Sequence, residues 1–410
     1  MQLKAQGYKT IFIGEWGNPF PPSSIGFDQS FLLKDSEIFF NPSIISQGNS
    51  KKHEGHTTDV LTDILLNSIE ESGRSNSPFF CTLAFPGTKR PWIAPIRFLD
   101  MLDKEWIELP DTFEDPLHEK APACKYQRMN IGTDLDLKGD LFLGTTDDQN
   151  FTYLNSAVLE KNLLAMNDEQ RSAWHLAWKP KNEAFFRENP DKKSVSAWKF
   201  QRFLKNYFRC LKAQDENLER IIQSLHNLEG KSKSKLIYTA KRGRFLGEYG
   251  WFGTELSYAP CLEVPFLISN FPDTQKNPFD QERDMHPLIE NRHFIKFIHH
   301  DALKESNKSK FIYFSHYDYE ESEGVCSHHG LLTEKWKIIH YFPFDEWEYY
   351  DLLTDPDEKF NQIENSVYEQ RIKEAKLEFE RVSRIKKNNN KRIGTEEWRR
   401  NQRKPSMKTR

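Results

Sequence analysis

Pro78-Phe79-Phe80-Cys81-Thr82-Leu83-Ala84-Phe85 is an apolar run that opens on a proline and closes on Pro86-Gly87. A strand without polar alternation is buried on both faces, as in a parallel sheet covered by helices. Upstream, Tyr8–Ile13 (YKTIFI) reads the same way and enters a glycine turn at Gly14. Downstream, Lys235–Thr239 (KLIYT) and Val264–Ser269 (VPFLIS) repeat the pattern. Helical periods separate these strands. Thr57–Ile69 has Thr58 or Asp59 as a cap and Val60, Leu61, Ile64, Leu65 and Ile69 as its apolar face. Asn167–Trp178 and Val195–Leu228 are two further helices. The alternation predicts an α/β layer fold.

The texture changes after about residue 285. Lys310–Phe314, Trp336–Phe342 and Glu346–Leu352 alternate apolar and polar residues and are aromatic. They suit an antiparallel sheet with one open face. Tyr368–Val382 reads as a closing helix. The expected division is therefore an α/β domain over 1–285, a C-terminal α+β subdomain over 286–383, and a disordered basic tail over 384–410.

Composition narrows the function classes. The chain has 410 residues, 37 % hydrophobic and 13 % aromatic, enough rings to bury a core and exclude wholesale disorder. No run of about 18 apolar residues occurs, so no membrane span is expected. Residues 2–7 (QLKAQG) carry no apolar leader segment, so the chain as given is expected to stay cytoplasmic. Net charge is −3, but the last thirty residues hold twelve Lys or Arg against only Glu396 and Glu397. Such a tail is most often a solvated end, and nucleic acid is an unlikely partner on this evidence. Five widely spaced cysteines form neither a disulfide framework nor a zinc pattern.

Six segments, in order, resemble the sulfatases of the alkaline-phosphatase-like superfamily, especially bacterial enzymes acting on glycosaminoglycans and mucin sugars. Leu3–Thr10 running into Ile13-Gly14-Glu15-Trp16-Gly17 is similar to L-K-x-x-G-Y-x-T…I-G-K-W-H. Gly55–Asp63 (GHTTDVLTD) follows. Pro78–Trp92 (PFFCTLAFPGTKRPW) is similar to P-F-F…F-x-A-P-H-x-x-W. Trp198–Leu218 is a fourth segment. Leu236–Phe252 (LIYTAKRGRFLGEYGWF) is similar to V-I-Y-T-S-D-[HQ]-G-x-x-L-G-E-H-G-W-F. Lys310–Asp357 resembles the family's C-terminal subdomain. The resemblance implies an alkaline-phosphatase-like sandwich, a mostly parallel sheet between helices, with a C-terminal antiparallel sheet subdomain.

The resemblance also implies a chemistry: a formylglycine made from the Cys of C-x-[PA]-x-R attacks a sulfate ester held by calcium, Lys and His. Clustered cations and a metal suit the charge that develops on sulfate. That motif and the first strand, with two Asp ligands, would precede Leu3, so the reading is of an N-terminally truncated chain. None of the five cysteines starts the motif. Within the chain, the Lys of I-G-K-W-H is Glu15 and its His is Gly17. The His of A-P-H is Lys89. The metal-ligating Asp is Lys241, its polar neighbour is Arg242, and a sulfate-binding Lys is Thr254. Residues 273–309 lack a D-x-x-P-T stretch, read as a second deletion. No cofactor is expected, since neither Lys241 nor Arg242 offers calcium an oxygen ligand. No catalytic and no metal-binding residue is assigned.

Other residues carry weaker signals. His316 in SHYDY and His328 in SHHG fall where the family's C-terminal subdomain nears its active-site mouth, and they are the candidate substrate-binding residues for a sulfated glycan. The ordinary alternative is loop histidines kept by packing. HEGH at 53–56 lacks the i, i+4 spacing of a zinc helix, and the other metal set to weigh joins His53 and His56 with His299 and His300. GRFLGEYG (243–250) follows no phosphate-loop spacing. Three readings stand: a catalytically inactive fragment or pseudoenzyme, a non-catalytic protein that binds sulfated glycans, and a sulfatase completed by a partner chain. Oligomeric state is left open.

Overall fold

The computed structural model describes residues 2–75, 78–144, 157–227, 234–271, 311–317 and 324–393. His299, His300, the expected deletion at 273–309 and the tail beyond 393 lie outside them. The chain divides into two units. One gathers residues 1–109, 131–236 and 268–280; the other gathers 110–130, 237–267 and 281–410. The division is not the single cut near 285 that the change of texture suggests.

In the first unit a five-stranded sheet runs in the order β4-β3-β2-β1-β5. Its strands are β1 (Lys9–Gly14), β2 (Gln29–Leu33), β3 (Ser43–Ser46), β4 (Asn49–Lys52) and β5 (Phe79–Ala84). β1 lies between β2 and the edge strand β5 and pairs in parallel with both. The β3–β4 hairpin extends the sheet antiparallel, so the sheet is mixed. Helices α1 (Thr57–Ser75), α2 (Ala157–Ala165), α3 (Asp168–Glu188) and α4 (Lys192–His226) belong to the same unit.

Val60, Leu61, Leu65 and Ile69 of α1 and Ile221 and Leu225 of α4 close on Ile11 and Ile13 of β1 and Ile44 of β3. Burying each such side chain is worth about 1.5–3 kcal/mol. The periodicity locates both helices, but α3 runs past the expected stop at 178 and carries Pro180 inside it. Asn167 and Gln170 form its capping box. The residues from 27 to 52 give little signal, because two of their strands are only four residues long and β4 is fully exposed.

In the second unit β8 (Ile312–His316), β9 (His328–Leu332), β10 (Trp336–Tyr341) and β11 (Glu346–Asp351) form an antiparallel sheet. Outside these two sheets, β6 (Ser234–Thr239) and β7 (Phe266–Phe271) pair with each other, and neither strand lies wholly in one unit. Helix α5 (Glu369–Ile393) lays Ile372, Ala375, Phe379 and Val382 on Leu331, Ile338 and Tyr349. Its backbone stays helical beyond the expected boundary at 384.

The expected open face is absent. Lys337, Glu348 and Tyr350 on the opposite side are all buried. The Glu348 carboxylate accepts from the Ala121 amide at 2.7 Å and from the Tyr258 hydroxyl at 2.6 Å. Lys120 sits over the rings of Tyr249, Tyr258 and Tyr350 at 4.3, 4.7 and 4.9 Å. Segments 110–130 and 237–267 thus cover this face with polar groups that are mutually satisfied. Polar alternation in the strands reads as solvent exposure when it marks a buried hydrogen-bonded layer.

Candidate active site

The C-terminal ends of β1 and β5 converge because position 14 is glycine. Its φ is +111°, and a β-carbon there would lie 2.0 Å from the Ala84 carbonyl oxygen. The Glu15 amide then donates to Ala84 O at 3.0 Å. Beyond β5 the chain turns at Gly87 (φ +65°) and brings Lys89 back over the same edge. The Lys89 ammonium pairs with the Glu15 carboxylate and donates to Ser36 Oγ at 3.1 Å. Both charged side chains remain partly open to solvent. Next to them, Trp16 packs edge-to-face with Phe12 at 4.6 Å and donates Nε1–H to Phe20 O at 2.8 Å. Phe20 is 64 % exposed.

The Glu15–Lys89 pair is the feature that position-by-position reading of the motifs misses. Two changes, an acid where the family has Lys and a Lys where it has His, compensate each other in charge. The signal was in the sequence, but only spatial adjacency turns two substitutions into one ion pair.

In the second unit the segment after β6 is a tight loop. A β-carbon on Gly243 would meet Pro260 O at 2.1 Å, and its amide donates to Cys261 O at 2.9 Å. Arg244 donates Nη1–H to Phe252 O at 2.6 Å, and the Phe245 amide donates to Gly253 O at 3.0 Å. The loop is therefore anchored from its glycine onward, while Lys241 and Arg242 ahead of it are exposed. Neither forms an ion pair with another described residue. Thr254 is half-buried in the following segment.

The candidate histidines sit inside the second unit. His328 is fully buried, with Nε2 at 2.8 Å from Ser257 Oγ and Nδ1 at 2.8 Å from Cys326 O. Burial pushes it down to about 3, so it is neutral at ordinary pH. His316 is buried too and stacks on His328, with centroids 5.4 Å apart. The structure brings the two together but turns the His328 ring nitrogens onto protein groups. In the first unit His56 is buried, pushed down to about 4 by desolvation, and holds Ile93 O at 3.1 Å. Its Nδ1 accepts the Thr58 amide at 3.3 Å at the start of α1. His53 is half-buried and does not share that role.

The residues at the position that the resemblance assigns to the metal do not fit a calcium ion. Lys241 and Arg242 are cations with no oxygen to donate, exposed side by side. Among the described residues no three His, Cys, Asp or Glu side chains gather as a metal site.

A mixed sheet with flanking helices, an aromatic C-terminal antiparallel sheet and a motif-bearing loop at the end of β1 define a sulfatase-type architecture. The sulfatase family model matches residues 1–298, and the chain belongs to that family. The model for the C-terminal part of N-sulphoglucosamine sulphohydrolase matches residues 247–385. Among characterised relatives, the chain is similar to N-acetylglucosamine-6-O-sulfatase of Bacteroides thetaiotaomicron. The two are 25 % identical over 408 residues, spanning 94 % of this chain and 72 % of that protein. An arylsulfatase of Clostridium perfringens is 23 % identical over 182 residues, 40 % of this chain and 37 % of that one. In fold, the chain is similar to a solved structure in complex with its substrate D-glucosamine-2-N,6-O-disulfate. The TM-score is 0.82 at 24 % identity, covering 94 % of this chain and 81 % of that one. The structure of Ps i-CgsB in complex with k-i-k-neocarrahexaose gives 0.53 at 14 % identity, covering 93 % and 72 %. No described helix is long and apolar enough to cross a membrane.

Proposed function

We propose that this chain is a non-hydrolysing member of the sulfatase family, with no calcium at work in it. The observation that carries the reading is the exposed Lys241–Arg242 pair at the family's metal position. Two cations there repel a divalent metal, and without it the sulfate oxygens lose their principal electrophile. The Glu15–Lys89 pair supports the same reading, since the Glu15 carboxylate offsets the Lys89 charge at that edge. The test is sulfate release from N-acetylglucosamine 6-sulfate and D-glucosamine-2-N,6-O-disulfate by the purified chain, with and without millimolar calcium. No release and no calcium-induced change in Tm are expected. Calcium-dependent release would overturn the reading.

A second reading, binding of sulfated glycans, is favoured by the same two cations. An exposed guanidinium next to an ammonium suits a sulfate group, whose oxygens take paired N–H donors. A relative in fold holds a sulfated glucosamine, which makes that class the first ligand to try. Binding of a heparin-derived oligosaccharide should weaken with salt and drop in Lys241→Ala/Arg242→Ala. Affinity that ignores both salt and these substitutions would remove it. On this reading His316, at the end of β8, and His328, at the start of β9, act as buried packing and not as ligands.

A further inference from the structure

We infer that the end of β1 forms a saccharide subsite that selects an unsulfated sugar, reading a free hydroxyl where the family reads a sulfate. The inference deepens the non-hydrolysing reading and rests on it. Its elements all lie in the first unit. The Glu15 carboxylate, the Lys89 ammonium and Ser36 Oγ form a linked set with Lys89 as the shared donor. The set carries no net charge, and its two charged members are partly accessible.

An incoming sulfate would meet a carboxylate beside the ammonium, and like charges at contact disfavour it. A sugar hydroxyl meets the opposite situation. It donates to a Glu15 oxygen and accepts from the Lys89 ammonium, so it inserts into the pair without leaving either charge unsatisfied.

The neighbouring aromatics supply the other half of sugar recognition. Trp16 follows Glu15 directly and is half-exposed. Its indole N–H is already spent on Phe20 O, which fixes the ring against the loop. Phe20 stands 64 % exposed in a Pro-flanked turn, Pro19-Phe20-Pro21-Pro22, whose backbone loses little entropy on binding. Rings held this way present rigid apolar surface to the C–H face of a pyranose. Gly17 removes a side chain between Trp16 and the turn, in place of the imidazole that the family motif would put there.

The experiment titrates the full chain with N-acetylglucosamine and, separately, N-acetylglucosamine 6-sulfate, followed by ligand-observed NMR. The wild-type chain is expected to favour the unsulfated sugar. Glu15→Lys should shift the preference toward the 6-sulfate by about tenfold, the scale of one charged hydrogen bond. Phe20→Ala should weaken the unsulfated sugar about fivefold while Tm holds, and Trp16→Ala should weaken it by about as much while also lowering Tm through the lost Phe12 contact. Preference of the wild type for the 6-sulfate, or a folded chain that binds neither sugar, overturns the inference. Binding of sulfated oligosaccharides through Lys241 and Arg242, with no binding of the unsulfated sugar, overturns this inference and leaves the non-hydrolysing reading intact. Sulfate release overturns that reading, whatever the two affinities.

Discussion

Lys337 and Glu358 form an ion pair, Nζ to Oε1 at 2.7 Å, with the two side chains 0 % and 2 % exposed. Glu358 Oε2 also accepts the Ala259 amide at 3.1 Å, and its carbonyl accepts from the Lys120 ammonium. Through its carboxylate and its carbonyl, Glu358 thus fastens three segments of the second unit. Removing Lys337 strands a buried anion, so Lys337→Met should cost about 3–5 kcal/mol. Lys337→Met combined with Glu358→Gln should recover part of that, because the amide can still accept from Ala259 without carrying charge. Urea denaturation of the single and double variants measures it; equal losses in both would show that the pair is not the cause.

The close approach of β1 to β5 depends on Gly14. Its φ of +111° and the 2.0 Å from a would-be β-carbon to Ala84 O leave no room for a side chain. Gly14→Ala should destabilise the chain by at least about 2 kcal/mol. Gly48, also at positive φ but with open space around it, is the control. Gly48→Ala should cost only the left-handed backbone strain, about 1–2 kcal/mol, and clearly less than Gly14→Ala. Similar losses at both sites would count against the tight β1–β5 edge.

Acid sensitivity follows from two buried imidazoles. Desolvation pushes His56 down to about 4 and His328 down to about 3, while each titrates near 6.5 in an unfolded chain. Between those values the unfolded state takes up protons that the folded state refuses. Stability is therefore full above about pH 6.5 and falls as pH drops from there towards the folded values. Each histidine contributes at most about 1.4 kcal/mol per pH unit. His56→Gln and His328→Gln lower stability at neutral pH through lost contacts, but each should flatten the slope measured below about pH 6. An unchanged slope in both variants would refute the assignment.

Thiol chemistry at four of the five cysteines should be silent in the folded chain. Burial pushes the thiols of Cys81, Cys210 and Cys326 up to about 12, and Cys124 is raised further. Almost none of any of the four is thiolate near pH 8, and the thiolate is the reactive form. Maleimide should label these cysteines only after denaturant is added. Rapid labelling of one of them in the native protein would mark a thiol more open than its packing here.

Much of the fold was legible from local pattern. The apolar run at 79–84 is β5, and the YKTIFI segment is β1. The face of Val60, Leu61, Leu65 and Ile69 is the face that meets the sheet. What escaped has a physical cause in each case. β3 and β4 are too short to show a period. β9, HHGLL, hides its strand character because buried His328 is satisfied by Ser257 and Cys326 rather than by apolar neighbours. Lys337 and Glu348 look like a solvent face until their partners from other segments are in place.

By itself, the sequence determined the α/β class and the family, because these rest on residue type and local spacing. Periods of 2 and 3.6 and ordered motifs survive without knowledge of any contact. Only the tertiary structure decided what the altered positions do to one another. Glu15 and Lys89 stand seventy-four residues apart in the chain, and nothing local links them. They become one neutral, accessible pair because Gly14 lets two parallel strands end within contact of each other, and electrostatics acts through that distance rather than along the chain.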